Sequence, residues 1–345
     1  MSNSAELVHL IRGPMVESIH TGDVAVVNAK GELLAFAGAP KEKMAFWRSS
    51  AKPFQAIPVV ESGAIDHFGL AENELAQMCA SHAGEDIHIN TVRAILAKLG
   101  LDESYLQCGV HYPSHGATHR RMIAAGEKAT EIHCNCSGKH SGMLAQGKMY
   151  GEDLSNYTDL QHPVQQRDLA SVSAFTGVSI EDIVIGIDGC GVPVHGISVY
   201  AMALAWARLV DPIDMPQQRV EAARRVRTAM MHNPYLIAGE GRTCTRLMQA
   251  LPERIVAKSG ADAVYCFALP EKGIGVALKI ADGGGRAVAP AVISTLHQLG
   301  YFSEEELKPL ENLATATLTN HHSDVVGRIV PVFDLQWAKG ANERS

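Results

Sequence analysis

Arg48-Ser49-Ser50-Ala51-Lys52-Pro53 marks the point where a strand-rich amino-terminal segment gives way to a helical pattern. Upstream, residues 24–28 and 33–36 flank Ala29-Lys30-Gly31 and read as a β-hairpin with glycine at the turn, with residues 7–11 as a preceding strand. From Ser49 onward the spacing turns helical, and Pro53 is tolerated in a first helical turn, where its missing N–H breaks no bond. Helical spacing continues over residues 72–82 and 86–99, the latter stopped by Gly100, and over 138–147, 163–175, 199–209, 217–232 and 243–251. Residues 183–187 form an apolar strand within this stretch. Short β-rich runs then return at 254–258, 263–268 and 274–280, followed by a helix at 288–299 and a last strand at 325–332. Strands at both ends and a helical middle predict an α+β fold. Its antiparallel sheet comes from the N- and C-terminal strands and packs against a largely helical region. No repeat or linker divides the chain, which reads as a single domain over 1–345, with a helical subregion at about 60–250 and a sheet subregion from both termini. The tail from 338 to 345 is polar and reads as frayed.

The composition narrows the function. Of 345 residues, 46% are hydrophobic and the mean hydropathy is +0.01, enough for a substantial core and too much for a disordered chain. Thirty basic and 37 acidic residues give a formal charge of −7 without long runs, so nucleic acid and anionic membranes are not the expected partners. No apolar run approaches the ~20 residues of a membrane span, and the first thirteen residues do not form a signal peptide. A cytoplasmic chain is expected. In that compartment the seven cysteines read as buried thiols or metal ligands rather than as a disulfide framework.

Ser49 and Lys52 stand three residues apart, a spacing that places both on one helical face. A serine needs a base before it attacks a carbonyl, and a desolvated lysine in its neutral form is one. Unpaired N–H groups at a helix start can also hold an oxyanion. Ser-x-x-Lys alone is weak, since a chain of this length shows about one by chance. An N-cap serine followed by a surface lysine is the ordinary reading. Lys258-Ser259-Gly260, just ahead of a strand, strengthens the motif, because the two fragments together mark serine acyl-transfer enzymes of the penicillin-binding and β-lactamase type. Gly260 is expected to let a substrate lie against the strand backbone, with Lys258 projecting into the cleft. No Ser-Asp-Asn triplet completes the β-lactamase pattern.

Three further segments carry polar chemistry. Ala80-Ser81-His82-Ala83-Gly84-Glu85-Asp86 joins two helical patterns; Ser81 is a candidate second catalytic hydroxyl or a cap. His133-Cys134-Asn135-Cys136-Ser137-Gly138-Lys139-His140 is rich in metal-ligand types without zinc-finger spacing, and Asp188-Gly189-Cys190-Gly191-Val192-Pro193 adds a thiol and a carboxylate. Either one cysteine from each segment clamps a zinc ion, or the thiols are small buried hydrophobes. In Gly239-Glu240-Gly241-Arg242, Arg242 is placed to grip a substrate carboxylate unless the segment is an ordinary turn. No nucleotide-binding loop is present.

Taken in order, these motifs resemble the L-asparaginase II family of the rhizobial type, over about residues 8 to 332. The resemblance implies a fold similar to serine β-lactamases and glutaminases, a homodimer, and hydrolysis of L-asparagine to L-aspartate and ammonia. It implies Ser49 as nucleophile, Lys52 as its base, and Ser81 with Lys258 as a second Ser–Lys pair. It further implies zinc held by Cys136, Lys139 and Cys190, with Asp188 close by. Arg48, His82 and Arg242 are the expected substrate-binding residues. Cys134 departs from the family pattern by placing an extra thiol beside Cys136, and residues 111–115 form a histidine-rich version of their segment. The competing readings are a β-lactamase or peptidase acting by the same serine chemistry, and a non-catalytic zinc-binding protein.

Overall fold

The computed structural model describes residues 4–338, so most of the polar tail lies outside the described residues. Its strands are β1 (Ala5–Arg12), β2 (Met15–Asn28), β3 (Leu33–Ala37), β4 (Met44–Phe46), β5 (Val184–Ile187), β6 (Pro193–Ser198), β7 (Val256–Gly260), β8 (Val264–Leu269), β9 (Ile274–Ile280), β10 (Ala316–Thr319), β11 (Val325–Pro331) and β12 (Gln336–Trp337). The main helices are α1 (Lys52–Glu61), α2 (Ala64–His67), α3 (Glu72–Met78), α4 (Asp86–Lys98), α5 (Gly116–Ala124), α6 (Ser137–Met149), α7 (Pro163–Thr176), α8 (Val199–Val210), α9 (Gln217–His232), α10 (Pro234–Ala238), α11 (Thr243–Ala250) and α12 (Val288–Leu299). Two compact units divide the chain. One comprises Met1–Ser50, Ile197–Asp211 and Gln249–Ser345, the other Ala51–Gly196 and Pro212–Met248.

The first unit is built on an antiparallel sheet in the order β10-β11-β1-β2-β9-β8-β7, with β3 on β2 and β12 on β3. N- and C-terminal strands interleave in it, which makes the fold α+β. Strand β2 begins at Met15, nine residues before the apolar run that announces it, because its first half is largely exposed and pairs with β1. Only Val24–Val27, buried on both faces, carries a hydrophobic signature. The cover is α8, packed on β2, β8 and β9, and α12, packed on β1, β8 and β11. Gly275 permits this approach: a Cβ there would lie 2.2 Å from the Ala203 carbonyl oxygen of α8.

The second unit is helical. Helix α1 is buried along nearly its whole length and packs against α6, α7 and α9. Strands β5 and β6 pair as an antiparallel hairpin from Val184–Gly196 to Ile187–Pro193. Helix α3 stops at Met78 instead of running to residue 82, so Ser81 and His82 stand on an irregular loop. Among the described residues, no helix is long and apolar enough to cross a membrane.

Candidate functional site

Arg48–Ala51 is a 3-10 turn, and the helix proper starts at Lys52 with Ala51 as its N-cap. Ser49 therefore sits in the turn rather than at the helix cap. Arg48 adopts φ 53°, and at the tip of the β7–β8 hairpin Asp262 and Ala263 follow with φ 54° and 59°. Left-handed backbone at residues other than glycine costs on the order of 1 kcal/mol each and gathers at functional sites. The Arg48 guanidinium pairs with the Asp262 carboxylate, so a substrate carboxylate there would compete with an existing partner. Gly260 does not open the strand to a ligand as expected. A Cβ on it would lie 2.9 Å from the Trp47 carbonyl oxygen and 3.0 Å from Ser50 Oγ, so the chain around Ser49 fills that space. Ser50 Oγ donates to the Lys258 carbonyl (3.1 Å), and Lys258, wholly buried, donates from Nζ to the Ser259 carbonyl (2.7 Å).

In the helical unit, Lys52 is only 1% exposed. Its Nζ donates to the Ala80 carbonyl (2.5 Å) and lies 2.9 Å from Ser81 Oγ and 3.2 Å from Cys136 Sγ. The loop bearing Ser81 is pinned from several sides. Ser81 N–H donates to the Ile237 carbonyl of α10 (3.0 Å). His82 accepts from Gly84 N–H at Nδ1 (3.2 Å), which leaves Nε2 to donate to Ser137 Oγ (2.9 Å). Burial, then the charges of His88 and Lys52, hold the His82 imidazole well below its ordinary range. Both ring nitrogens of His82 are engaged and the residue is 1% exposed, so the imidazole is held inside the fold rather than open to a ligand here. Arg242 is exposed on the loop after α10.

Two residues fasten the loop, Tyr235, which sequence reasoning did not single out, and Glu240, which lies in the segment Gly239-Glu240-Gly241-Arg242. Tyr235 donates its phenol to Glu85 Oε2 (2.5 Å), and Glu240 N–H donates to Oε1 (3.0 Å). The hydrogen bond to Glu85 and burial push the Tyr235 phenol up to about 12. Glu85 comes this close only because residue 239 is glycine, at φ +106°, where a Cβ would fall 2.4 Å from Oε1. Glu85 and Glu240 were both in segments read from sequence, but their pairing across some 150 residues, and the role of Tyr235, carried no local signal.

The metal candidates do assemble. Cys136 is the N-cap of α6, Lys139 lies in its first turn, and Lys139 Nζ reaches Cys190 Sγ at 3.1 Å. Hydrogen bonds from the Cys134 and Cys190 thiols hold the Cys136 thiol well below its ordinary range; burial opposes this and the charges of Lys52 and Lys139 assist. Burial alone would lower Lys139, but Cys190, Cys136 and Asp188 more than offset it and raise the amine. Two thiols and a lysine amine lie close together here, a donor set that would suit zinc provided the metal displaces the lysine proton. Cys134 Sγ donates to the Cys108 carbonyl (3.3 Å), which ties the extra thiol to backbone. All seven cysteines are free and buried.

The chain is thus an α+β protein with a buried lysine on a serine hydroxyl. The L-asparaginase II family model matches residues 8–331, nearly the whole chain, and the protein belongs to that family, which makes it an amidohydrolase. The search of curated proteins gives no match. Among solved structures, Mglu in its native form is similar at a TM-score of 0.43 and 14% identity, covering 83% of this chain and 67% of that one. A β-lactamase, Mb2281c of Mycobacterium bovis, is similar at 0.39 and 12%, covering 77% and 89%. A Bacillus glutaminase is similar at 0.35 and 13%, covering 87% and 94%. At these scores the likenesses carry no argument about the reaction.

Proposed function

We propose that the protein hydrolyses L-asparagine to L-aspartate and ammonia through an aspartyl ester on Ser49. The observation that carries the reading is the buried Lys52 amine, 2.9 Å from the Ser81 hydroxyl. Lys52 serves as the base that takes the Ser49 proton while Oγ attacks the side-chain amide carbon. The proton passes to Ser81 and on to the departing nitrogen, with Lys258 supporting the transfer, and the C–N bond breaks to release ammonia. Water then attacks the ester by the reverse relay, freeing aspartate and restoring the Ser49 hydroxyl. Backbone N–H groups hold the oxyanion. Arg48 and Arg242 are the proposed partners of the α-carboxylate; His82 is not among them. Cys136, Lys139 and Cys190 would hold zinc, with Asp188 beside them, and the bound ion would tie the start of α6 to the turn after β5. A cytoplasmic homodimer belongs to the same proposal.

The Lys52–Ser81 bond supports a second reading, in which Ser81 is the nucleophile and Lys52 its base. Ammonia release from asparagine and from glutamine separates the two. With Ser49→Ala the rate is expected to fall by a factor on the order of 10⁴ or more, and with Ser81→Ala by about 10². Near-native turnover by Ser49→Ala, with Ser81→Ala dead, moves the nucleophile to Ser81. Faster release from glutamine overturns the substrate assignment.

A further inference from the structure

Away from the thiols, Glu85, His115 and Glu240 each offer a ligand atom, and these atoms all lie within 4.8 Å of one another. Ligands about 2.1 Å from an octahedral ion are about 3 Å apart when adjacent and about 4.2 Å when opposite, so the spacing of these atoms is close to that of the ligands of one ion. The cluster borders a cavity of about 370 Å³ lined by Glu85, Asp86, His115, Thr118 and Arg121, with room for water to complete the coordination.

The charges call for a cation. Glu85 is only 9% exposed, yet both its hydrogen bonds come from neutral donors, the Tyr235 phenol and the Glu240 N–H. A second carboxylate, Glu240, faces the same space, with His115 Nε2 at 3.0 Å from its Oε2. Among the described residues, no lysine or arginine pairs with Glu85 or Glu240. Buried carboxylates ordinarily have a paired cation or a metal. His115 is held from its other side: Nδ1 accepts from the Thr118 N–H (3.4 Å) and lies 2.8 Å from Thr118 Oγ1, which leaves Nε2 facing Glu240.

We infer that Glu85, His115 and Glu240 bind one divalent first-row metal ion of the Mn²⁺ type, at a site separate from the thiols. One imidazole and two carboxylates without sulfur select an ion of this kind over a thiophilic one. The inference does not depend on the asparaginase reading. The test is titration of the full-length, metal-stripped protein with Mn²⁺, following loss of the free-ion signal by electron paramagnetic resonance. One Mn²⁺ per chain is expected, weakened at least tenfold by Glu240→Gln and by His115→Gln, and retained by Cys190→Ser. The Glu240 side chain is 69% exposed, so its variant should melt as the wild type does in chelator. No Mn²⁺ binding by wild type, unchanged binding in both variants, or loss only in Cys190→Ser overturns the inference.

Discussion

Two lysines of the helical unit stand on either side of one thiol and meet different surroundings. Lys52 opens α1 and points at oxygen, namely the Ala80 carbonyl and the Ser81 hydroxyl, and touches Cys136 at 3.2 Å. Lys139, in the first turn of α6, points at the sulfur of Cys190 and feels Cys136 and Asp188. Under the proposed reading the amine against a hydroxyl moves a proton, whereas the amine among thiols shares a metal. The two amines are equally hidden, at 1% and 5% exposure, so burial alone does not set their roles. The element each faces does.

The largest expected effect breaks this comparison outright. Lys52→Met should lower ammonia release from saturating asparagine by about 10²- to 10⁴-fold while leaving zinc content, measured by elemental analysis, near that of wild type. Cys190→Ser should do the reverse, lowering zinc affinity at least tenfold with a smaller loss of turnover. If Lys52→Met strips the metal as completely as Cys190→Ser does, the two amines belong to one centre and the division between oxygen and sulfur is wrong.

That division was only partly legible in the sequence. The α+β class followed from strands at both ends, and helix 217–232 was read with the bounds the structure has, because amphipathic spacing is local information. The first half of β2, the strand β6 and the helix α5 were missed: the first is mostly exposed, the second follows a Gly-rich turn, and the third has few apolar residues. The motif residues were legible as types. What they touch was not. The sequence reading paired Lys52 with Ser49, whereas the structure sets Lys52 against Ser81; Gly260 meets its own chain at Trp47 and Ser50, and His82 is saturated by Gly84 and Ser137. Such contacts depend on tertiary packing, to which a single chain's spacing is blind.

A second, smaller effect sharpens the oxygen side. His82 sits next to Ser81, and burial keeps it neutral in the folded protein well below its ordinary 6.5. As pH falls through 6.5 the unfolded chain takes up a proton at this residue that the folded chain refuses, so stability falls with pH from there downward. The slope from this one residue is at most about 1.4 kcal/mol per pH unit. Urea midpoints measured from pH 7 to pH 5 should therefore drop, and His82→Gln should flatten the curve by one proton's worth, whatever its stability at pH 7. An unchanged slope in that variant would place the acid sensitivity elsewhere.

The smallest effect tests the sulfur side at its edge. Cys134 donates to the Cys108 carbonyl and also helps hold the Cys136 thiol below its ordinary range, so it acts on Cys136 from the side of the backbone. Cys134→Ala removes a weak donor and leaves a methyl-sized void, whereas Cys134→Ser keeps the donor. Zinc affinity should therefore fall less than tenfold in Cys134→Ala, remain closer to wild type in Cys134→Ser, and leave ammonia release unchanged in both. A loss of metal in Cys134→Ala as large as that in Cys190→Ser would make Cys134 a ligand. The extra thiol would then enlarge the metal set, and the amine of Lys139 would be free for another task.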